Sequence, residues 1–484
     1  MRVDVAIVGS GFGGVAAAIK LRERGITDLV VLERADTLGG TWRDNRYPGC
    51  RCDVPSTLYS FSFAPNPAWS NTFSYRPEIQ AYLEGVARRH GVTGLIRYDT
   101  PVGDVRFDQG LGRWRLATPT GDVEARCVVL AIGGLSEPRW PDVDGLATFA
   151  GVRLHTAAWD ESVDLAGKRV AVIGTGSSAI QAVPEIAKDA AALTVLQRTA
   201  PWVLPHGGHP IGARARRLFG ALPLAERLNR LYQYARLERL VLGFVKDPQR
   251  MALGEKWGRA LLDAQVPDPE LRAKMTPTFR MGCKRVLLSN DWYPTFARPN
   301  VELVTDPIAA IEPAGVRLAT GRLVECDALV CATGFRVTDN PMFDAVTGTR
   351  GSTVGDAFRG DLDCYRGTSF PGFPNLFMIS GPNSELGHSS VLYMTESQLR
   401  YIVPAVAAAL RADALVEPTD AAARSWTTDV RSRLEGTVWM TGCSSWYLND
   451  RGLNTTIWPG FTFAFRRAVR GFSPGDHAVA RAPS

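Results

Sequence analysis

The chain has 484 residues, enough for two or three domains that each bury a core of their own. Hydrophobic residues make up 45% of the sequence and charged residues 21%, which are the proportions of an ordinary globular protein. The net charge of +6 comes without a basic block interleaved with aromatic residues, so nucleic acid is not an expected partner.

The cysteines and the apolar runs set further limits. The eight cysteines are scattered apart from Cys50 and Cys52, and they match neither a zinc site nor a C-x-x-C motif. We therefore expect them to be mostly reduced and structural, with no bound metal. A strand begins by residue 3, which leaves no room for a signal peptide, and no apolar run reaches the length of a membrane span. We expect a cytoplasmic protein with no membrane-spanning segment.

A glycine-rich loop over residues 9–14 follows an apolar run at residues 3–8 and leads into a helix-compatible stretch. Such a strand-to-helix turn brings backbone N–H groups to a pyrophosphate. About twenty residues later the next strand ends in a glutamate, whose carboxylate accepts hydrogen bonds from ribose hydroxyls. The pattern predicts a site for FAD or NAD, contacted by Gly9, Gly11, Phe12, Gly14 and Glu33.

The same pattern recurs over residues 169–199. An apolar strand at 169–173 runs into a second glycine-rich loop at 174–179, and the strand after it ends at Arg198. An arginine there suits a 2′-phosphate, which a carboxylate would repel. The second site is therefore predicted to bind NADPH, through Gly174, Thr175, Gly176, Ser177, Ser178, Ala179, Gln181, Arg198 and Thr199. A chain with both sites is interpreted as a flavoprotein that NADPH reduces.

Residues 211–246 break this pattern, because they are helical in period, rich in leucine and arginine, and without a strand signal. One interpretation is a lid or a helix at a membrane surface. The interpretation we favour from the sequence is a helical cap docked on the second domain, with its arginines facing water.

The remaining strand signals define the domain organisation. Three strands form a meander between residues 105 and 130, and the second copy continues with strands at 301–304, 316–319 and 328–331. A buried strand at 376–382 and a helix at 395–411 return to the first domain. We expect an α/β fold with two Rossmann-like domains: an FAD-binding domain over 1–140 and 331–484, and an NADP-binding domain over 141–330 with a helical insertion at about 205–280.

Two longer motifs carry a family resemblance. Residues Phe149–Asp160 have the pattern F-x-G-x-x-x-H-x-x-x-W-D, and the segment from Gly39 to Asp53 has the pattern G-G-x-W-x-x-x-x-Y-P-G-x-x-x-D. Both resemble the signatures of type I Baeyer–Villiger monooxygenases, which are class B flavoprotein monooxygenases. Related flavin-containing monooxygenases usually have Tyr in place of Trp159. The resemblance extends over about residues 3–465.

The resemblance assigns roles to matching positions. It implies that Arg285 is the active-site arginine beside the flavin, with Asp53 approaching it and the cofactors. It implies that Lys284 joins Arg198 and Thr199 at the 2′-phosphate of NADPH. His155, inside the first motif, is expected to be structural, and His388 is expected to be a loop histidine near the flavin. The other residues implied to contact cofactors are Gly40, Thr41, Trp42, Arg51, Cys52, Tyr59, Val102, Val391 and Trp446.

The implied reaction is an NADPH- and O2-dependent insertion of one oxygen atom next to a ketone carbonyl. It gives an ester or lactone by way of a C4a-peroxyflavin. The partners would be a small-molecule ketone and O2, and candidate pocket residues suggest an apolar substrate: Leu386, Val391, Tyr393, Met394 and Leu453. Two alternatives stay open: an enzyme of the same fold that oxygenates nitrogen or sulfur, and a flavoprotein NADPH reductase that forms no oxygenated product.

Overall fold

A computed structural model describes residues 1–443 and 445–483 of the chain. The first of its two main sheets has eight strands and is centred on the parallel pair Arg2–Val8 and Val123–Leu130. Its central strands are buried because both faces of the sheet are covered, as in most parallel sheets. The other six strands are Val346–Thr347, Val105–Asp108, Arg113–Leu116, Leu29–Leu32, Ile96–Arg97 and Leu376–Met378.

The second sheet has five strands, and every pair in it is parallel. In order across the sheet they are Val301–Val304, Ala192–Leu196, Arg169–Ile173, Ala328–Cys331 and Val152–His155. The strand expected at 316–319 is not part of this sheet. Residues Gly315–Leu318 instead form the centre of a small antiparallel sheet with Ile308–Glu312 and Leu323–Glu325. A tight turn on each side of Gly315–Leu318 lets it pair antiparallel with the neighbouring strands, whereas joining the parallel sheet would need a longer crossover connection.

The chain returns to the first sheet after completing the second. Leu376–Met378 pairs in parallel with the end of strand Val123–Leu130, and helix Val391–Ala412 then packs on helix Phe12–Glu23. The expected α/β class with two Rossmann-like sheets is confirmed, and the meander adds antiparallel pairs to the first sheet. The division into a split first domain and an inserted second domain is our proposal, and it follows the sheet to which each strand belongs.

Helices cover the sheets and fill the insertion. Helix Phe12–Glu23 follows the first glycine loop and helix Ala179–Ile186 follows the second. The described helices do not include one that is long and apolar enough to cross a bilayer. The remaining α-helices are Thr41–Asp44, Arg76–Arg89, Ala213–Ala221, Pro223–Glu238, Met251–Gln265, Pro269–Lys274, Trp292–Thr295, Pro341–Ala345, Val354–Arg359, Asp420–Leu434 and Thr462–Ala468. Two short pairs complete the strands: Val203–Leu204 with Leu287–Leu288, and Ala414–Pro418 with His477–Arg481.

Candidate active site

A single cavity of about 1860 Å³ runs between the carboxyl ends of the two sheets and is lined by both glycine loops. A pocket for one small ligand is typically about 300–1,000 Å³, so this cavity is large enough for more than one. Most residues predicted to bind cofactors or substrate line it: Gly9, Gly11, Phe12, Glu33, Gly40, Thr41, Trp42, Arg51, Cys52, Asp53, Tyr59, Val102, Gly174, Thr175, Gly176, Ser177, Ser178, Gln181, Arg198, Thr199, Lys284, Arg285, Val391 and Trp446.

Two predicted contacts, Gly14 and Ala179, lie behind the cavity wall. They occupy the third small-residue position of each loop, where a helix passes close to its strand. A Cβ on Gly14 would lie 1.8 Å from the Gly9 carbonyl oxygen, and Ala179 is completely buried. These two positions therefore allow close packing and do not reach a ligand.

The first loop turns sharply at Gly9, which has a φ of +99°. Its N–H donates to the Leu32 carbonyl at 2.8 Å, and a Cβ there would lie 2.7 Å from the Ala131 carbonyl oxygen. Only glycine fits this close approach with a positive φ. The turn directs the N-terminus of helix Phe12–Glu23 at the cavity, where a pyrophosphate would meet free N–H groups.

Glu33 is a buried carboxylate with its own cationic partner. Its Oε2 accepts from the N–H and hydroxyl of Ser10 at 2.9 and 2.6 Å, and its Oε1 accepts from Arg43 Nη1 at 2.7 Å. Burial alone would raise the pKa of Glu33. The Ser10 hydrogen bonds and the Arg43 charge outweigh burial and hold this pKa below its ordinary value. Glu33 is therefore an ionised acceptor at the wall of the first site.

An aromatic group adjoins this site. Trp42 Nε1 donates to the Tyr59 hydroxyl at 2.9 Å, and Phe12 contacts the edge of the Tyr59 ring with centroids 5.5 Å apart. These contacts fix three cavity-lining rings through packing and one hydrogen bond. Rings held in this way suit the flat surface of a flavin, so the first site fits FAD.

The second loop repeats the backbone of the first. Gly174 has a φ of +110°, its N–H donates to the Leu196 carbonyl at 3.1 Å, and a Cβ would lie 2.6 Å from the Ala332 carbonyl oxygen. The Thr175 hydroxyl donates to the Thr199 carbonyl at 3.0 Å and ties the loop to the end of the neighbouring strand. The site thus has the same cradle for a pyrophosphate.

The second site differs in charge at the end of its second strand. Gln197, at the position corresponding to Glu33, is buried and donates to the Lys274 carbonyl, so it does not offer a carboxylate. Arg198 is exposed to the cavity mouth. Burial lowers the pKa of Lys284, and the charge of Arg198 lowers it further, so the two cations are neighbours. A pair of cations at this place fits a phosphate dianion.

Arg285 and Asp53 form the charged pair between the two sites. Arg285 Nε and Nη2 each donate to one oxygen of Asp53 at 2.8 Å, which is a bidentate geometry. The two residues are 232 positions apart in sequence, and both line the cavity. The Asp53 charge raises the pKa of Arg285 above its ordinary value in spite of burial, so the guanidinium keeps its charge.

Gln181 connects the second loop to the segment that carries Asp53. Its Oε1 accepts from the Tyr47 hydroxyl at 3.0 Å and from the Arg51 N–H at 3.2 Å, while its Nε2 donates to the Arg51 carbonyl. The Nε of Arg51 is buried and has no partner among the described residues. Because Arg51 also lines the cavity, this unpaired donor fits a polar group of a bound cofactor.

The thiols of Cys50 and Cys52 are free and buried. Burial raises the pKa of Cys50 to about 11 and raises that of Cys52 well above its ordinary value. Both therefore stay protonated at neutral pH, and a protonated thiol is a poor nucleophile. This pair agrees with the structural role expected from the sequence and does not supply a redox disulfide.

Cys283 and Cys443 form a disulfide that the sequence analysis did not foresee. It joins the loop that carries Lys284 and Arg285 to the loop that carries Trp446, and its Cα atoms are 6.2 Å apart. The other six cysteines are buried thiols, as expected. A pairing across 160 residues leaves no local spacing that sequence reasoning could use.

Glu385 is a titratable cavity residue that the sequence did not predict. Its N–H donates to the Thr456 carbonyl at 3.0 Å, and its own carbonyl accepts from the Trp458 N–H at 2.8 Å. Burial raises the pKa of its carboxyl to about 7, although the Arg285 charge and the Ser380 hydroxyl lower it. A lone glutamate in a loop is usually solvated, and only its position at the cavity wall distinguishes this one.

Three of the five pocket candidates lie away from the cavity. Leu386 and Val391 line it, but Tyr393, Met394 and Leu453 do not. Tyr393 and Met394 miss the cavity because helix Val391–Ala412 turns a different face to it. Met394 is buried in a separate core cluster, and Tyr393 stacks on Tyr234.

Neither histidine considered in the sequence lines the cavity. His155 is fully buried, its Nδ1 accepts from the Ala157 N–H at 3.0 Å, and burial lowers its pKa, so it is neutral and structural as expected. His388 is buried with its Nε2 3.3 Å from Glu238 Oε1. It belongs to the packing behind the cavity wall and does not act as a ligand there.

Comparisons with known proteins agree with this arrangement. A family model described as pyridine nucleotide-disulphide oxidoreductase matches residues 6–207. The chain is 46% identical over 482 residues to a Baeyer-Villiger monooxygenase of Streptomyces coelicolor, covering 99% of this chain and 93% of that protein. It is 41% identical over 483 residues to a Baeyer-Villiger monooxygenase of Pseudomonas aeruginosa, with 99% and 92% covered.

Solved structures match over the same length. An oxidized steroid monooxygenase bound to NADP has a TM-score of 0.87 and 32% identity, covering 99% of both chains. A cyclohexanone monooxygenase from Rhodococcus sp. Phi1 bound to NADP+ has a TM-score of 0.88 and 29% identity, covering 100% of both chains. The fold that holds the two sheets is thus shared with these structures.

Proposed function

The chain belongs to the Baeyer–Villiger monooxygenase family, and from that membership we propose that it inserts one oxygen atom beside the carbonyl of a small-molecule ketone. It is an FAD-dependent NADPH monooxygenase. In this proposal FAD lies at the first glycine loop, NADPH lies at the second, and the product is an ester or lactone. The relatives' names include steroid and cyclohexanone monooxygenases, which supports an apolar ketone as the substrate class.

One observation carries the proposal: the bidentate pair of Arg285 with Asp53 lies in the cavity between the two loops. A guanidinium that keeps its charge stabilises negative charge that develops on oxygen as the carbonyl is attacked. Asp53 orients the guanidinium by binding two of its N–H groups, so it positions Arg285 at no cost during the reaction. The same pair lines the cavity that both glycine loops open into.

The chain's other residues bind, orient and shield. FAD, when bound, supplies the activation of O2 and the transfer of one oxygen atom to the substrate. Arg198 and Lys284 would hold the 2′-phosphate of NADPH, and Glu33 would accept from a ribose of FAD. Leu386 and Val391 give the cavity wall an apolar part that excludes water from the reacting carbonyl. We place this chemistry in the cytoplasm. Six buried free thiols favour this placement, and the Cys283–Cys443 disulfide does not.

The test is a panel of cyclic, linear and steroidal ketones, incubated with the holoenzyme and NADPH under isotopically labelled O2. We expect esters or lactones that each carry one labelled oxygen atom, detected by product mass. Thioethers and tertiary amines are included as competing substrates. Labelled sulfoxides or N-oxides with no labelled ester would favour the heteroatom-oxygenating alternative. NADPH consumption with no labelled product on any substrate would favour the reductase alternative.

A further inference from the structure

The helix pair Ala213–Ala221 and Pro223–Glu238, here called the outer helix pair, turns large apolar side chains to solvent. In the second helix Leu224, Leu228, Leu231 and Tyr232 are between 57% and 66% exposed. Their spacing of four, three and one places them on one face of the helix. Leu218 and Leu222, in and just after the first helix, are 48% and 55% exposed, and that helix contains no buried residue.

Two polar side chains attach the second helix to the rest of the protein. Arg230 Nη1 donates to the Thr57 and Ser60 carbonyls at 2.6 and 3.0 Å. Glu238 accepts from the N–H and hydroxyl of Thr462 at 2.9 and 2.8 Å. These contacts tie both halves of the helix to other parts of the chain, so they fix its rotation and hold the leucines outward.

A surface helix usually buries its apolar residues. In this helix Tyr234 and Leu237 pack partly against the core, but the leucines of the outer face remain exposed. The cap expected from the sequence would dock on the second domain with its arginines in water. The second helix instead contacts Thr57, Ser60 and Thr462, which belong to the proposed first domain. The arginines do face water, but the leucines face it as well. A contiguous exposed apolar surface on a globular protein typically marks a site of interaction.

The exposed charge around this surface is positive. Six arginines in the segment 211–242 are exposed, and none of them forms an ion pair with a described residue: Arg214, Arg216, Arg217, Arg227, Arg236 and Arg239. The segment's two glutamates, Glu226 and Glu238, are both buried. The surface therefore combines leucines with uncompensated positive charge.

We propose that the outer helix pair docks the enzyme on an anionic lipid bilayer surface. Leucines would enter the boundary between headgroups and acyl chains while the arginines bind lipid phosphates, as in interfacial amphipathic helices. A second copy of this chain fits less well. A twofold contact would bring the same arginines face to face without acidic partners.

Docking at this place would bring the substrate side of the enzyme close to the bilayer. The buried face of the second helix contacts Thr57 and Ser60, which flank the cavity-lining Tyr59. Through Glu238 it also contacts His388, next to the cavity-lining Ser389. An apolar ketone dissolved in lipid would then be near the cavity, whichever ketone the enzyme accepts.

The test is flotation of the FAD-loaded full-length protein with vesicles. Phosphatidylcholine vesicles with about one-third phosphatidylglycerol should carry the protein, while pure phosphatidylcholine vesicles should carry much less. Raising NaCl from about 0.05 to about 0.5 M should release most of the bound protein by screening the arginines. Failure of the parent protein to float with anionic vesicles at low salt would overturn the proposal.

Variants assign the binding to the surface. Leu228→Gln and Leu231→Gln should each lower the partition coefficient by about tenfold, the effect of one buried leucine. Arg227→Gln should lower it by about fivefold. Leu111→Gln and Arg298→Gln are matched controls at exposed positions elsewhere, and they should leave it unchanged. Unfolding temperature and bound FAD confirm that each variant is folded.

The same variants distinguish lipid from a second copy of the chain. Light scattering of the parent and of Leu228→Gln measures the oligomeric state without lipid. A parent dimer that Leu228→Gln converts to monomer, with vesicle binding unchanged, would overturn the proposal in favour of an interface between copies. Equal loss of binding in Leu111→Gln and Leu228→Gln would also contradict it.

Discussion

The two glycine loops share one backbone and differ in the charge beside it. Gly9 and Gly174 have positive φ values of +99° and +110°, and each donates its N–H to the end of the next strand. A Cβ on either would approach a carbonyl oxygen, of Ala131 or Ala332, to 2.7 or 2.6 Å. The phosphate cradle is therefore built the same way twice, and it does not discriminate between cofactors.

We propose that discrimination between the two cofactors lies at the end of the second strand in each half. In the first half Glu33 is buried and is held ionised by Ser10 and Arg43. In the second half Arg198 and Lys284 are cationic neighbours at the cavity wall. In this proposal one fold selects two dinucleotides through a few charged side chains: a buried carboxylate beside the first loop and a pair of cations at the cavity wall beside the second.

The largest effect on the reaction is expected at Arg285, which lies between the two sites. Arg285→Ala removes the charge that stabilises the reacting oxygen, at a cost of about 3–4 kcal/mol, or a few hundredfold in rate. We expect ester formed per NADPH consumed to fall by that order while FAD stays bound. Both quantities are measured in the same assay on a good ketone. Arg280→Ala is the matched control, because Arg280 pairs with Glu255 outside the cavity.

An unchanged ratio of ester to NADPH in Arg285→Ala would show that this arginine is not catalytic. Slower NADPH oxidation alone is a different result, since Arg285 lies near both cofactor sites. The ratio separates oxygen transfer from cofactor reduction.

Glu33→Gln tests the buried carboxylate of the first site. The change leaves Arg43 with Asp44 as its remaining carboxylate partner, so we expect a loss of about 3 kcal/mol in the free energy of unfolding. The variant should also lose FAD during gel filtration. Denaturant unfolding and the ratio of flavin to protein absorbance measure the two effects. Glu23→Gln, at an exposed pair on the same domain, should change neither. Full FAD retention in Glu33→Gln would contradict the assigned role.

Glu385 should make the stability of the protein depend on pH, and this dependence can be tested. Because burial raises the pKa of its carboxyl to about 7, the folded state holds a proton that the unfolded chain releases near pH 4.5. Stability conferred by this proton is present below the unfolded pKa and is lost as pH rises toward 7. Glu385→Gln should therefore stabilise the protein by roughly 3 kcal/mol at pH 8 and by less than about 1 kcal/mol at pH 5.

Denaturant unfolding of parent and Glu385→Gln at the two pH values checks this expectation. Glu161→Gln, at an exposed position, is the control and should show the same stability as the parent at both. A gain from Glu385→Gln that is equal at pH 5 and pH 8 would mean that its carboxyl does not titrate between them.

The site was predictable from sequence where it rests on local pattern. The turns at Gly9 and Gly174 follow from a strand, glycines and a helix in succession, and these are adjacent in the chain. The pairing of Arg285 with Asp53, by contrast, spans 232 residues and was available only through family resemblance. Glu385 lies in a loop with no periodicity, so its burial had no sequence signal.

The outer helix pair shows a different limit. Its helical period was correctly read, but periodicity alone does not say which face packs on the protein. The partly buried Arg230 and the buried Glu238 bond to partners from distant parts of the chain, and these partners decide the rotation of the helix. Local pattern therefore predicted the helices, and tertiary contacts set their orientation.

The smallest effect is expected at the second site, for Arg198→Ala. Removing one charged contact to the 2′-phosphate should cost about 1.5–3 kcal/mol, which is roughly a ten- to hundredfold fall in kcat/KM for NADPH. The value for NADH should hardly change, because NADH has no phosphate at that place. The ratio of the two, measured as flavin reduction, is therefore the decisive quantity. Arg153→Ala, at an exposed position outside the cavity, should leave that ratio unchanged. Equal losses with both cofactors in Arg198→Ala would mean that this arginine supports the loop and does not recognise the phosphate.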